Sequence, residues 1–214
     1  MDLYYIRHGQ PNYENDSITE LGHFQAEETA KFLVTVKFDK IFASSQGRAM
    51  QTAEHLTNKN HMEIIKCDWA MEKGAWEHIT DIDENGNCRW IFDIKKYADA
   101  LNQHIDDLNW YDDPIFQKKV KDFFLLSRKE IDNWLLSMNI KHENGKYEIL
   151  GKTPDAIALF AHGGFGIVFF SLMMDMNYPK VIRNVGQLSL CGIYHFRIDE
   201  NGIKLLKNNK VYYN

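Results

Sequence analysis

The chain has 214 residues, 44% apolar and 13% aromatic, which suits one domain with a packed core. Its net charge of −5 argues against a nucleic-acid or acidic-membrane partner, and no run approaches the ~18 apolar residues of a membrane span. Three scattered cysteines argue against a disulfide framework, and Met1-Asp2-Leu3-Tyr4-Tyr5 lacks a signal peptide's basic start and apolar run, so a cytoplasmic location is expected.

In chain order the pattern predicts a strand at 2–6, a helix at about 19–36, a strand at 38–43, a helix at 47–58 and a strand at 62–67. The first helix carries Leu21, Phe24, Ala26, Ala30, Leu33 and Val34 near helical spacing behind Thr19, a good N-cap. After a long insert come a strand at 155–161, a helix at about 164–176, and strands near 188–198 and 203–207. Asp199-Glu200-Asn201-Gly202 marks a hairpin turn between the last two. Alternating strands and helices predict an α/β fold: a three-layer sandwich with a mostly parallel central sheet and helices on both faces.

The insert at about 75–150 is expected to form a helical cap over the pocket of a single 1–214 domain. Asp112-Asp113-Pro114 predicts the start of a long helix, with proline near N1. Phe116, Val120, Phe123, Phe124, Ile131, Trp134, Leu135 and Met138 supply a stripe that reads as core. Residues 75–113 hold ten acids against three bases, together with Trp76, Trp90, Phe92, Tyr97, Trp110 and Tyr111. That composition fits either a substrate-contacting cap or a solvated acidic surface with its aromatics turned inward.

Two apolar runs stop at a histidine followed by glycine: Tyr4-Tyr5-Ile6-Arg7-His8-Gly9-Gln10 and Ile157-Ala158-Leu159-Phe160-Ala161-His162-Gly163-Gly164. Open α/β sheets carry their sites at the carboxyl ends of strands, so two histidines 154 positions apart can face one crevice. The run Phe38–Ala43 leads into Ser44-Ser45-Gln46-Gly47-Arg48, adding an arginine. Two arginines and two histidines make a phosphate pocket with a histidine nucleophile. A neutral imidazole attacks through one nitrogen while the other donates to a backbone carbonyl, and guanidinium forks hold the phosphate oxygens.

These motifs resemble the histidine phosphatase superfamily, the phosphoglycerate mutase-like family. Arg7-His8-Gly9 looks like its nucleophile signature, Ile18–Ala26 like its first helix, Ser44–Ala53 like its second arginine motif and Ala161–Gly164 like its second histidine. The resemblance implies a catalytic set of Arg7, His8, Arg48, Glu72 and His162, with Glu72 as proton donor and Glu77 and Asp81 as nearby rivals. Arg7, Arg48, His162, Gly163, Gln10 and Asn12 are the expected phosphate-binding residues. Ser45 departs from the family, whose members often carry proline there.

The expected activity is a histidine acid phosphatase acting on a small phosphate monoester through a phosphohistidine. The alternatives are mutase-type phosphoryl transfer and a catalytically silent phosphoester-binding module. No cofactor is expected. No His-Glu-x-x-His or Cys-x-x-Cys spacing suggests a metal, and a homodimer is left open.

Overall fold

The computed structural model describes residues 1–143 and 145–213. Six strands form the central sheet: β1 (Asp2–Arg7), β2 (Lys40–Ser44), β3 (Ile64–Cys67), β4 (Ala156–Ala161), β5 (Ile193–Asp199) and β6 (Gly202–Lys210). Their order is β6-β5-β1-β4-β2-β3. The four strands from β1 to β3 run parallel, and β5 and β6 close one edge antiparallel. Every residue of β4 is buried, which is why Ala156-Ile157-Ala158-Leu159-Phe160-Ala161 reads as an unbroken apolar run.

The period-two alternation of the strands divides two cores. Tyr4, Ile6, Ile41, Ala43, Ala158 and Phe160 pack with helices α1 (Glu20–Leu33) and α2 (Gly47–Asn60) on one face. Leu3, Tyr5, Phe42, Ile157 and Leu159 pack on the other with α3 (Glu72–His78), α4 (Lys95–Gln103), α5 (Lys118–Leu136), α6 (Gly163–Met173) and α7 (Tyr178–Val185). The result is the expected three-layer α/β sandwich. Thr19 caps α1, its hydroxyl accepting from the Gly22 N–H at 3.1 Å.

The long helix α5 starts at Lys118, not at Asp112-Asp113-Pro114. Asp113 instead shapes a turn: its Oδ1 accepts from the Ile115 N–H at 2.9 Å and its Oδ2 meets His104 Nε2 at 2.8 Å. The stripe from Phe116 to Met138 is buried throughout. The insert also holds two short antiparallel pairs, Thr80–Ile82 with Cys88–Trp90 and Ile140–Glu143 with Lys146–Ile149. Two further departures lie near the C-terminus. Helix α7, with proline in its first turn, lies where no element was expected. The strand expected from about 188 begins only at Ile193, because Cys191 takes a left-handed φ of 49° and Gly192 N–H closes a turn onto Ser189.

Candidate active site

Three neighbouring strands, β1, β4 and β2, end side by side and deliver the site. His8 follows β1 directly, His162 follows β4 as the N-cap of α6, and Ser44 closes β2. Beyond Ser45 and Gln46, the first turn of α2 places Arg48 in the same crevice. Arg48 is buried and its guanidinium donates to Asp16 Oδ1 at 2.5 Å. Arg7, the last residue of β1, donates to the Leu188 carbonyl at 2.5 Å. The Nε atoms of both arginines are buried without a protein partner.

His8 is 1% exposed, and its Nδ1 sits 2.7 Å from the Gly9 carbonyl. A carbonyl can only accept, so Nδ1 carries the proton and Nε2 keeps its lone pair. Burial pulls the His8 pKa down to about 3; Arg7 and Arg48 push the same way and the bond to Gly9 resists. His8 is therefore neutral across the physiological range. Gly9 has no left-handed φ; the requirement is space. A Cβ there would lie 2.6 Å from the Gly22 carbonyl oxygen, so the loop after His8 is pressed against α1 backbone to backbone.

His162 is fully buried. Its Nε2 bonds the Ser44 hydroxyl at 2.8 Å, and its main chain is held from both sides by the Tyr5 hydroxyl. The rings of His8 and His162 are 5.2 Å apart between centroids. Burial, then His8, Arg48 and Arg7, hold the His162 pKa well below its ordinary value. A phosphate dianion among these groups would bring the opposite charge and favour the imidazolium.

Glu72 is the first residue of α3, and its Oε1 accepts the Phe165 N–H at 2.9 Å. The amides opening α6, where an anion was expected, are thus turned toward this carboxylate. Burial raises the Glu72 pKa, against the lowering by the Phe165 amide, the two arginines and the Gly164 amide. Glu72 Oε2 stands 3.5 Å from His162 Nδ1, an atom with no hydrogen-bond partner. His8, Glu72 and His162 place ligand atoms within 4.8 Å of one another, the grouping of that kind found among the described residues. Such a trio has the donor types of a metal site, though its span is wide for bonds near 2.1 Å.

The structure brings Arg7, His8, Arg48, Glu72 and His162 together, with Gly163 packed on Arg7, where a Cβ would meet the guanidinium carbon at 3.0 Å. Of these, Arg7, Arg48 and Glu72 line the cavity, while His8, His162 and Gly163, like Gln10 and Asn12, lie outside its lining. Gln10 Oε1 accepts the Thr19 hydroxyl at 2.7 Å, and Asn12 Oδ1 takes the Glu14 N–H in a local turn. Of the rival acids, Asp81 is engaged by Tyr97 and Lys96, and Glu77 pairs with Lys73, away from the histidines. Ser45 bonds Asp68 at the surface.

A cavity of about 540 Å³ opens over Arg7, Arg48 and Glu72, with Tyr13, Gln46, Lys73, Trp76 and Trp90 as its outer wall. Of this wall Gln46 lay in the Ser44–Ala53 motif and the tryptophans in the aromatic insert, where nothing separated them from the buried Tyr97 and Trp110. Ser44 was also missed: a lone serine at a strand end carries no signal until the histidine across the sheet is placed.

The profile of the histidine phosphatase superfamily (branch 1) matches residues 3–104, which contain Arg7, His8, Arg48 and Glu72. Probable fructose-2,6-bisphosphatase TIGAR A of Danio rerio is 24% identical over 141 residues, 60% of this chain; the match spans about half of that relative, 54%. Among solved structures, mycobacterial hydrolase 1 aligns with a TM-score of 0.64 at 19% identity over 98% of both chains. A mycobacterial glucosyl-3-phosphoglycerate phosphatase aligns at 0.61 and 19% over 97% of this chain and 98% of its own. The phosphoserine phosphatase of Entamoeba histolytica aligns at 0.60 and 17% over 98% and 96%. At such identities the structural likeness speaks for the fold. The profile match over residues 3–104 and the motifs that fall at the ends of β1, β2 and β4 agree with one another: this chain is similar to the histidine phosphatase superfamily (branch 1).

Proposed function

We propose that this protein is a phosphatase that hydrolyses a small phosphate monoester through a phosphohistidine on His8, without a metal. The observation that carries the reading is the state of His8: buried, neutral, with Nδ1 tied to the Gly9 carbonyl and Nε2 left to attack. In the first step the Nε2 lone pair forms the N–P bond while the ester P–O bond breaks. Glu72, whose pKa burial raises, gives its proton to the departing oxygen. In the second step water attacks phosphorus, its proton passes to the Glu72 carboxylate, and the N–P bond breaks to release phosphate. Arg7, Arg48 and His162 hold the non-transferring oxygens throughout, supplying the positive charge that a metal supplies elsewhere.

Hydrolysis is favoured over return to a second acceptor by the open mouth of the cavity, where Tyr13 is 70% and Trp76 42% exposed. Beyond the clamp the lining offers one cation, Lys73, to hold a second anionic group. Several similar proteins carry phosphatase names, which supports the same class of reaction. Phosphate release over a panel of metabolite monophosphates, with and without chelator, tests the reading. Turnover should survive chelation, and labelled protein should be trapped under alkaline denaturing conditions in wild type and be absent in His8→Ala. Loss of more than about 90% of activity on chelation, restored by divalent metal, or label retained by His8→Ala, would overturn it.

A further inference from the structure

Resting on the phosphatase reading, we propose that the cavity outside the phosphate clamp is a subsite for a flat ring. The preferred substrate is then a small phosphomonoester whose leaving group carries a planar aromatic or heteroaromatic ring. The position follows from the proton donor, since the leaving group must depart beside Glu72. A Cβ built on Gly164 would lie 2.6 Å both from Glu72 Oε1 and from Cζ2 and Cη2 of Trp90, so the indole edge and the carboxylate border the same point. Trp76, one turn beyond Glu72 on α3, meets Trp90 edge to face, with centroids 4.9 Å apart and planes at 88°.

Trp90 is not free to drift. Its ring stacks on Phe92 at 5.7 Å, and Phe92 stacks on the buried Tyr178 at 3.9 Å. Trp76, by contrast, leaves 42% of its surface open over a cavity of about 540 Å³, room for a mononucleotide-sized ligand. Two indoles at right angles, one braced and one open, form a corner that accepts a ring by stacking on one and edge contact with the other.

The polar groups of this wall are few and partly committed. Gln46 Oε1 accepts the Lys73 N–H at 3.3 Å, and the Lys73 ammonium faces Glu77 at 3.8 Å. A polyol would bring hydroxyls against indole faces with little to bond them, and burying an unpaired hydroxyl is unfavourable. A second phosphate would find only Lys73. An aromatic ring asks for neither.

Two matched pairs test this: benzyl against ethyl phosphate, and adenosine 5′-monophosphate against ribose 5-phosphate. Within each pair the leaving alkoxides are similar and the ring is the difference. Wild type should favour the ring-bearing member in kcat/KM by about tenfold or more in at least one pair, through KM. Trp76→Ala should collapse that ratio toward one, and Trp76→Phe should retain most of it. A ratio below about threefold in both pairs, a preference for ribose 5-phosphate, or a ratio unmoved by Trp76→Ala would overturn the subsite while leaving the phosphatase reading intact. If no monoester is turned over, the phosphatase reading fails instead. Quenching of indole fluorescence then decides the subsite, which requires benzyl phosphate to bind at least about tenfold tighter than ethyl phosphate.

Discussion

Glu72 Oε2 stands 3.5 Å from Nδ1 of His162, so the proposed proton donor at the cavity and the buried histidine proposed for the clamp are neighbours. Their roles are separable by leaving group. Glu72→Gln should cost roughly 10²–10⁴ in phosphoenzyme formation from an alkyl phosphate, whose alkoxide needs its proton in the transition state. With p-nitrophenyl phosphate the loss should be much smaller. Arg48→Ala should damage both substrates alike, because the transferring group is the same. Single-turnover kinetics check this, and equal losses for Glu72→Gln on both substrates would remove it as the donor.

Ser44 orients His162 through the 2.8 Å contact to Nε2, and both residues are fully buried. Ser44→Ala strips a buried nitrogen of its partner, an effect of about 1–3 kcal/mol on folding. It should also slow phosphoenzyme formation, since the ring then loses the bond that fixes its direction. Urea unfolding and single-turnover rates measure the two effects. A variant of unchanged stability and rate would show that the hydroxyl positions nothing.

His8 links the site to acid stability. Its folded pKa of about 3 lies below the ordinary 6.5, so folding favours the neutral ring. That contribution is complete above pH 6.5 and is lost as pH falls toward 3, at ~1.4 kcal/mol per pH unit in mid-range. His162, depressed by the same burial, acts in the same direction. Urea midpoints should fall between about pH 6.5 and 4.5, and His8→Gln should make that fall shallower. An unchanged slope would mean that His8 titrates alike in the folded and unfolded chain.

A third histidine reverses the sign. Burial opposes charge on His142, but hydrogen bonds to Asp132 at 2.9 Å and Asp175 at 2.7 Å outweigh it and raise the pKa. This stabilisation is fully present below 6.5 and is lost as pH rises through the raised value. Melting temperature should therefore decline across that rise in wild type and much less in His142→Gln. Calorimetry at a series of pH values decides it, with parallel curves counting against the linkage.

The parallel strands were legible because β1, β2 and β4 are buried on both faces and read as unbroken apolar runs ending in chemistry. The long helix start was misread because Asp112-Asp113-Pro114 satisfies two structures at once, a helix N-terminus and an Asx turn, and His104 settles the choice from outside the local sequence. Helix α7 escaped because Tyr178, Val181 and Val185 span too few turns to set a period. In the site, the arginines and histidines announced themselves through residue type. Ser44 and the tryptophan corner did not, since their meaning depends on which distant residue lies across the gap. Gln10 and Asn12 looked like amide donors for phosphate by adjacency alone; their oxygens accept from Thr19 and Glu14, contacts that leave the NH2 groups to donate.

The place of β4 between β1 and β2 has a consequence for how the protein is made. During synthesis β1 and β2 leave the ribosome more than a hundred residues before the strand that pairs with both. Until then each presents an apolar, unpaired edge, the kind of surface that invites aggregation or chaperone capture. A chain cut short before residue 155 would hold His8, Arg48 and Glu72 yet lack the middle of its sheet, so the proposed phosphate clamp is assembled only once the carboxyl-terminal third has arrived.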